Sequence, residues 1–162
     1  MPSKSSLTIE QVLTLLPETP PRIAALTAAL TSAQLHTPLS PGEWSANDIL
    51  AHLRACADIW GDCMRVIVTQ DRPTLRAINP TTWIKRTDYR EQKFKPSLQT
   101  FAAQRADLMK YVESLAPKDW SRTATVTGAG SVLTRTVLFY GQWLAVHERS
   151  HMKHLERMFN KH

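Results

Sequence analysis

Residues 45–69 read SANDILAHLRACADIWGDCMRVIVT, and this run decides the fold. Ser45 followed by Asp48 has the form of a helix N-cap with its acid three residues on. From there Ile49, Leu53, Cys56, Trp60, Cys63 and Ile67 recur every three or four residues, the period of one helical face. The spacing predicts a long amphipathic helix from Ser45 to about Thr69, with that stripe turned towards a core. His52 stands at the edge of the stripe, three residues after Ile49 and one before Leu53.

Upstream, the loop from His36 to Trp44 holds Pro38, Pro41 and Gly42. Before it, Thr19-Pro20-Pro21 opens a first long helix running to about Leu35, since proline is tolerated in a first turn. Its apolar residues are Ile23, Leu26, Leu30 and Ala33. Thr8 with Gln11 makes a capping-box pattern for a short extra N-terminal helix carrying Ile9, Val12, Leu13 and Leu16. Downstream lies a long connection, Gln70 to Lys95, of the length usually tied to function or mobility. A third helix is expected from Pro96 to Leu115, with Leu98, Phe101, Arg105, Leu108, Val112 and Leu115 in line and Pro117 as its stop. A polar loop from Thr123 to Gly130 follows, then a last helix from about Thr134 to Asn160. Four amphipathic helices and no convincing strand predict an all-α four-helix bundle, one domain over residues 1–162.

Composition agrees with a globular chain: 162 residues, 43% hydrophobic, 21% charged and only five glycines. No apolar run approaches the roughly 18–20 residues of a membrane span. Met1 to Ser6 are polar and lack the apolar core of a secretory signal, so the cytoplasm is the expected location. Cys56 and Cys63 lie seven residues apart in one helix, about 10 Å, too far for a disulfide. The net charge of +6 raises nucleic-acid binding. The twenty Lys and Arg are spread along the chain without a run of five, so a solvated basic surface is the expected reading, with no nucleic-acid partner.

The histidines carry the chemistry. His162 is the C-terminal residue and is set aside as a frayed end. On the last helix Tyr140, Leu144, His147, His151 and His154 form one stripe. A single core-facing histidine is usually a hydrogen-bonded structural residue. Two at i and i+4 meet over one turn and can hold one cation. His52 supplies a third ligand. Three neutral imidazoles suit Zn²⁺, Ni²⁺ or Fe²⁺ rather than oxygen-seeking Mg²⁺ or Ca²⁺, so one divalent transition metal is expected, with core histidines as the alternative.

His147-Glu148-Arg149-Ser150-His151 also matches the H-E-x-x-H of zincin proteases. That reading is rejected. Only eleven residues follow His151 to supply a downstream ligand, and His154 and Arg157 occupy the Gly and final His places of the longer form.

Trp44-Ser45-Ala46-Asn47-Asp48-Ile49-Leu50-Ala51-His52-Leu53 resembles the W-S-x-x-E-I-L-x-H-L signature of the DinB-like superfamily. His147-Glu148-Arg149-Ser150-His151-Met152 resembles its terminal H-D-R-x-H-hydrophobic signature. Thr19 through Leu35, Pro41-Gly42-Glu43-Trp44 and Arg86-Thr87-Asp88-Tyr89 are similar as well, so the resemblance covers nearly the whole chain. It implies an up-down-down-up bundle whose metal is held by His52, His147 and His151. Members of known activity include bacillithiol and mycothiol transferases, a mycothiol-dependent isomerase and a metal hydrolase; many resemble homodimers. The resemblance therefore implies a low-molecular-weight thiol as cofactor, a small-molecule substrate and a homodimer. His154 departs from the Gln of many relatives, which bears on hydrogen bonding around the ligands.

Around the ligands several readings stay open. Glu148 can orient a ligand or serve as a helix-surface neighbour of a cation. Cys56, one turn after His52, is a soft ligand, a thiol or a buried structural residue. Trp83, Tyr89 and Arg90 either roof a substrate pocket or pack a loop. Two functions follow: a hydrolase or thiol-dependent S-transferase acting through a His₃ metal, or a non-catalytic metal- or ligand-binding bundle.

Overall fold

In a computed structural model the described residues are 7–160; the polar start at Met1–Ser6 and the terminal His162 lie outside them. The decisive helix forms as read. Helix α4 spans Ala46–Thr69, and Ser45 caps it: its hydroxyl accepts from the Asp48 amide at 3.1 Å while the Asp48 carboxylate accepts from the Ser45 amide at 3.0 Å. This reciprocal box satisfies two amides that the first turn leaves unbonded. Ile49, Leu53, Cys56 and Ile67 are fully buried, while Trp60 and Cys63 close the edge of the core.

Ahead of it, α1 (Ile9–Leu15) starts on the Thr8–Gln11 capping box. The first long helix is not continuous. It divides into α2 (Thr19–Thr27) and α3 (Ser32–His36). Thr27 turns its hydroxyl back to the Ile23 carbonyl at 2.7 Å, the Leu30 amide closes a turn onto Thr27, and Thr31 opens a new helix through its own box with Gln34. Local side-chain bonds at Thr27 and Thr31 thus outcompete the helical ladder. Two long helices complete the bundle, α6 (Phe94–Glu113) and α7 (Val137–Phe159), with the short α5 (Pro80–Trp83) between α4 and α6.

Side-chain pairs fix the directions. His52 faces His151 while Trp60 faces Trp143, so α4 and α7 are antiparallel. Arg54 bonds Ser97 and Gly61 lies on Leu108, so α4 and α6 run parallel. Thr19 bonds Glu148 and Arg22 reaches Glu156, so α2 and α7 run parallel. The order is up-down-down-up. It also explains the length of the connection after α4: parallel neighbours require the chain to return along the bundle, about 36 Å for a 24-residue helix.

The expectation of no strand needs correcting. β1 (Thr74–Arg76), β2 (Thr123–Thr127) and β3 (Leu133–Thr136) form a small sheet of that order, β1 parallel to β2 and β2 antiparallel to β3. β2 replaces most of the expected polar loop, because Thr123-Ala124-Thr125-Val126-Thr127 alternates and buries Ala124 and Val126. Gly128 and Gly130, at φ of +86° and +90°, make the turn. β3 takes residues 134–136 from the predicted start of the last helix. The sheet is minor beside the bundle.

Arg105 lies in the apolar line of α6 as read, and it is buried. Its guanidinium donates to both carboxylate oxygens of Glu148, one at 2.8 Å, and to the Leu16 carbonyl at 2.6 Å. Among the described residues no helix is long and apolar enough to cross a membrane.

Candidate metal centre

His52 projects from the second turn of α4, and His147 and His151 project from successive turns of α7. Antiparallel packing of the two helices brings their rings together. His147 Nε2 lies 3.1 Å from His52 Nε2 and 3.1 Å from His151 Nε2. One ring nitrogen from each of the three residues falls within 4.8 Å of the others. For tetrahedral zinc, metal–nitrogen bonds of about 2.0–2.1 Å put two ligand nitrogens about 3.3 Å apart. The donor set therefore fits a transition ion in number, kind and spacing.

The protonation states fit too. Burial lowers the pKa of His52, and lowers that of His151 to about 4, with His52 and His154 adding like-charge repulsion. Near pH 7 both rings are neutral, with a lone pair to offer. Aromatic rings wall the cluster: Trp44 stacks on His151 at 6.2 Å and tilts on His52 at 5.0 Å, while Trp60 sets its edge on His147 at 5.0 Å. Beside His52 a small pocket of about 50 Å³ opens between Trp44, Asp48, Thr81, Ile84 and Arg90.

The other expected residues separate. Glu148 faces away from the rings, into the core, where Arg105 and Thr19 hold its carboxylate. His154 stays outside the cluster. His36 accepts a hydrogen bond from the Phe94 amide at 3.2 Å and serves the start of α6. Cys56 is buried with its sulfur against the triad, 3.5 Å from His52 Nε2 and 3.9 Å from His147 Nε2. Burial pushes its thiol up to about 12, and the Glu148 charge adds to this.

Of the three connection residues, only Arg90 borders the pocket, with its Nε 3.5 Å from Asp48. Trp83 and Tyr89 pair with each other and pack on Ala51, Ala55 and Ile84. The Tyr89 hydroxyl donates to Asp58, and Arg54 lies 3.8 Å over the Tyr89 ring. Trp44, Asp48, Thr81 and Ile84 were missed as pocket residues. Asp48 carries a signal, since it stands four residues before His52 and so on the same helical face; Thr81 and Ile84 carry none.

The family model of the DinB superfamily matches residues 15–155. The chain belongs to the DinB superfamily. Among proteins similar to this DinB chain is one from Geobacillus thermodenitrificans (strain NG80-2) named "Putative metal-dependent hydrolase". It is 26% identical over 127 residues, covering 75% of this chain and 68% of the relative. A protein of the same designation from Geobacillus kaustophilus (strain HTA426) is 26% identical over 125 residues, covering 74% and 67%. The fold matches that of YfiT from Bacillus subtilis, reported as "a probable metal-dependent hydrolase with an unusual four-helix bundle topology". The TM-score is 0.74 at 19% identity, over 97% of this chain and 92% of YfiT.

Proposed function

We propose that this DinB protein is a metal-dependent hydrolase whose divalent transition ion is held by His52, His147 and His151. The observation that carries the reading is the convergence of three ring nitrogens from two helices, with neighbouring pairs at 3.1 Å. Ring nitrogens from all three residues are gathered within 4.8 Å of one another, an arrangement that a shared cation stabilises. When bound, such an ion supplies Lewis acidity and makes a nucleophile available at neutral pH.

The chain's own residues do the rest. Trp44 and Trp60 exclude water from two sides of the rings. Arg90, with its side chain 55% exposed at the pocket rim, offers a guanidinium to an anionic group on a small substrate. Asp48 pairs with that guanidinium at 3.5 Å and so positions it at the pocket. The attacking group is water in a hydrolase and a small thiol in an S-transferase; the names carried by the Geobacillus relatives favour water.

The test is metal analysis of the purified protein, then of His52→Ala, His147→Ala and His151→Ala. Up to one transition ion per chain is expected, with most of it lost in each variant. Hydrolysis of a panel of small esters, amides and phosphoesters should depend on that ion. Full metal retention in all three variants removes the reading.

A further inference from the structure

Arg90 is a long, exposed side chain on a connecting segment, yet it borders the pocket beside His52. A side chain of that kind loses rotamer freedom when it receives a ligand, unless the chain beneath it is already fixed. Here it is fixed. Asn47 and Asp48, consecutive residues in the first turn of α4, hold Arg90 at two points. The Asn47 amide nitrogen donates to the carbonyls of Arg90 at 3.2 Å and Gln92 at 3.0 Å, gripping the main chain on both sides of Glu91. Asp48 turns one carboxylate oxygen to the amide and hydroxyl of Ser45 and the other to the Arg90 guanidinium. His52 follows Asp48 by one turn, so the grip and the ring share one stretch of helix.

Asn47 is 3% exposed, and among the described residues its own side-chain oxygen is buried without a partner. Both of its neighbours are acceptors, so the amide acts as a donor alone and leaves that oxygen unmet. A leucine would fill the volume with no such penalty. The donor is therefore what the position requires. Behind it the buried Arg54 donates to Gln92 Oε1 at 2.7 Å and Ser97 Oγ at 2.9 Å, and lies 3.8 Å over the Tyr89 ring. The single turn Tyr89–Glu91 is thus held from beneath by α4.

We infer, resting on the reading of Arg90 given above, that Asn47 is a positioning residue for Arg90: its clamp on the main chain holds the guanidinium ready for the anionic group of a small substrate. The metal-free full chain is sufficient for the test, with acetate as the probe and ¹⁵N NMR of the arginine Nε–H groups as the readout. Arg90→Lys identifies the Arg90 signal by its loss. Acetate, titrated against chloride at equal ionic strength, should shift that signal saturably in wild type. Asn47→Leu keeps the volume and removes the donor; Asn47→Asp keeps the shape and does the same. Both should weaken acetate binding by about three- to tenfold, the factor that ordering one long side chain is worth. A purely structural Asn47 would lower the melting temperature and leave the acetate affinity of the folded variants unchanged. A second measurement needs no variant and decides the matter if neither variant folds: the Arg90 Nε–H should be more ordered than that of Arg86, which is exposed on the same segment. Unchanged acetate affinity in the Asn47 variants, or an Arg90 as mobile as Arg86, overturns the positioning role and leaves Arg90 at the pocket. A wild-type Arg90 signal that ignores acetate overturns both the positioning role and the anionic substrate. The three imidazoles stand or fall separately, on metal content.

Discussion

Glu148 sits beside a proposed ligand in a sequence pattern where zincins place their general base, yet its carboxylate is 1% exposed and faces Arg105. Replacing it with Gln keeps the shape and removes the charge. Arg105, itself 2% exposed, is then left charged in the core with the Leu16 carbonyl and one amide oxygen as acceptors. Removing one partner of a buried ion pair costs about 3–5 kcal/mol, most of it the penalty of the stranded charge. In a chain of this size each kcal/mol lowers the melting temperature by about 2–4 °C, so Glu148→Gln should melt roughly 6–20 °C below wild type. Urea unfolding of the apo-protein measures the free energy directly, and metal analysis of the folded variant should match wild type. The double variant Arg105→Met/Glu148→Leu should recover much of the loss, since no charge remains to strand. A Glu148→Gln protein as stable as wild type but depleted of metal would refute this reasoning and make Glu148 a partner of His147.

Metal and pH act on the same nitrogens. His52 and His151 have pKa values held below the ordinary 6.5, so unfolded chains take up protons there before folded ones do as pH falls. Apo stability should thus be level above about pH 6.5 and decline from there towards pH 4, with a shallower decline in His151→Gln; a flat profile in wild type contradicts the buried neutral rings. Zinc at a hundredfold excess over its dissociation constant should add about 2.7 kcal/mol at pH 7.5, and that gain should shrink below about pH 6 in calorimetry; an apo-protein whose melting ignores metal at pH 7.5 counts against the site. Gly141→Ala sets helix propensity against packing: a Cβ there would lie 3.0 Å from Val12 Cγ1, on a stiff branched side chain, and 3.5 Å from Trp120. Overpacking of about 1–3 kcal/mol should outweigh the roughly 1 kcal/mol gained from removing a helical glycine, and Val12→Ala in the same chain should relieve it; a stabilised single variant would reverse that judgement.

The bundle was legible because its helices announce themselves locally. Ser45 with Asp48 and the stripe from Ile49 to Ile67 place α4, and the spacing of His147 and His151 marks one face of α7. His52 was legible for the same reason, standing beside that stripe. What escaped depends on contests between local signals or on distant partners. Thr31 with Gln34 is a capping box as readable as the one at Thr8, but the longer period through Leu26, Leu30 and Ala33 masked it. The strand Thr123–Thr127 is five residues long, too short for its alternation to stand out beside Gly128 and Gly130. Arg105 fell in the apolar line because its partner, Glu148, comes from another helix 43 residues away. Cys56 was open to reading from its place one turn after His52, but its contact with His147 spans 91 residues, so the choice between a residue at the site and a packed core cysteine was not.

The return strap between α4 and α6 separates two inheritances. It is anchored at one end by the pairing of Thr74–Arg76 with β2, and at the other by Asn47, whose amide holds the carbonyls of Arg90 and Gln92. Between those anchors it carries Thr81, Ile84 and Arg90 past the mouth beside His52. The proposed ligands, by contrast, belong to helices that the core obliges to stay as they are. A lineage can rewrite the strap by insertion, deletion or exchange of side chains without disturbing a single imidazole. Selectivity can drift in that segment while the arrangement of the three imidazoles persists.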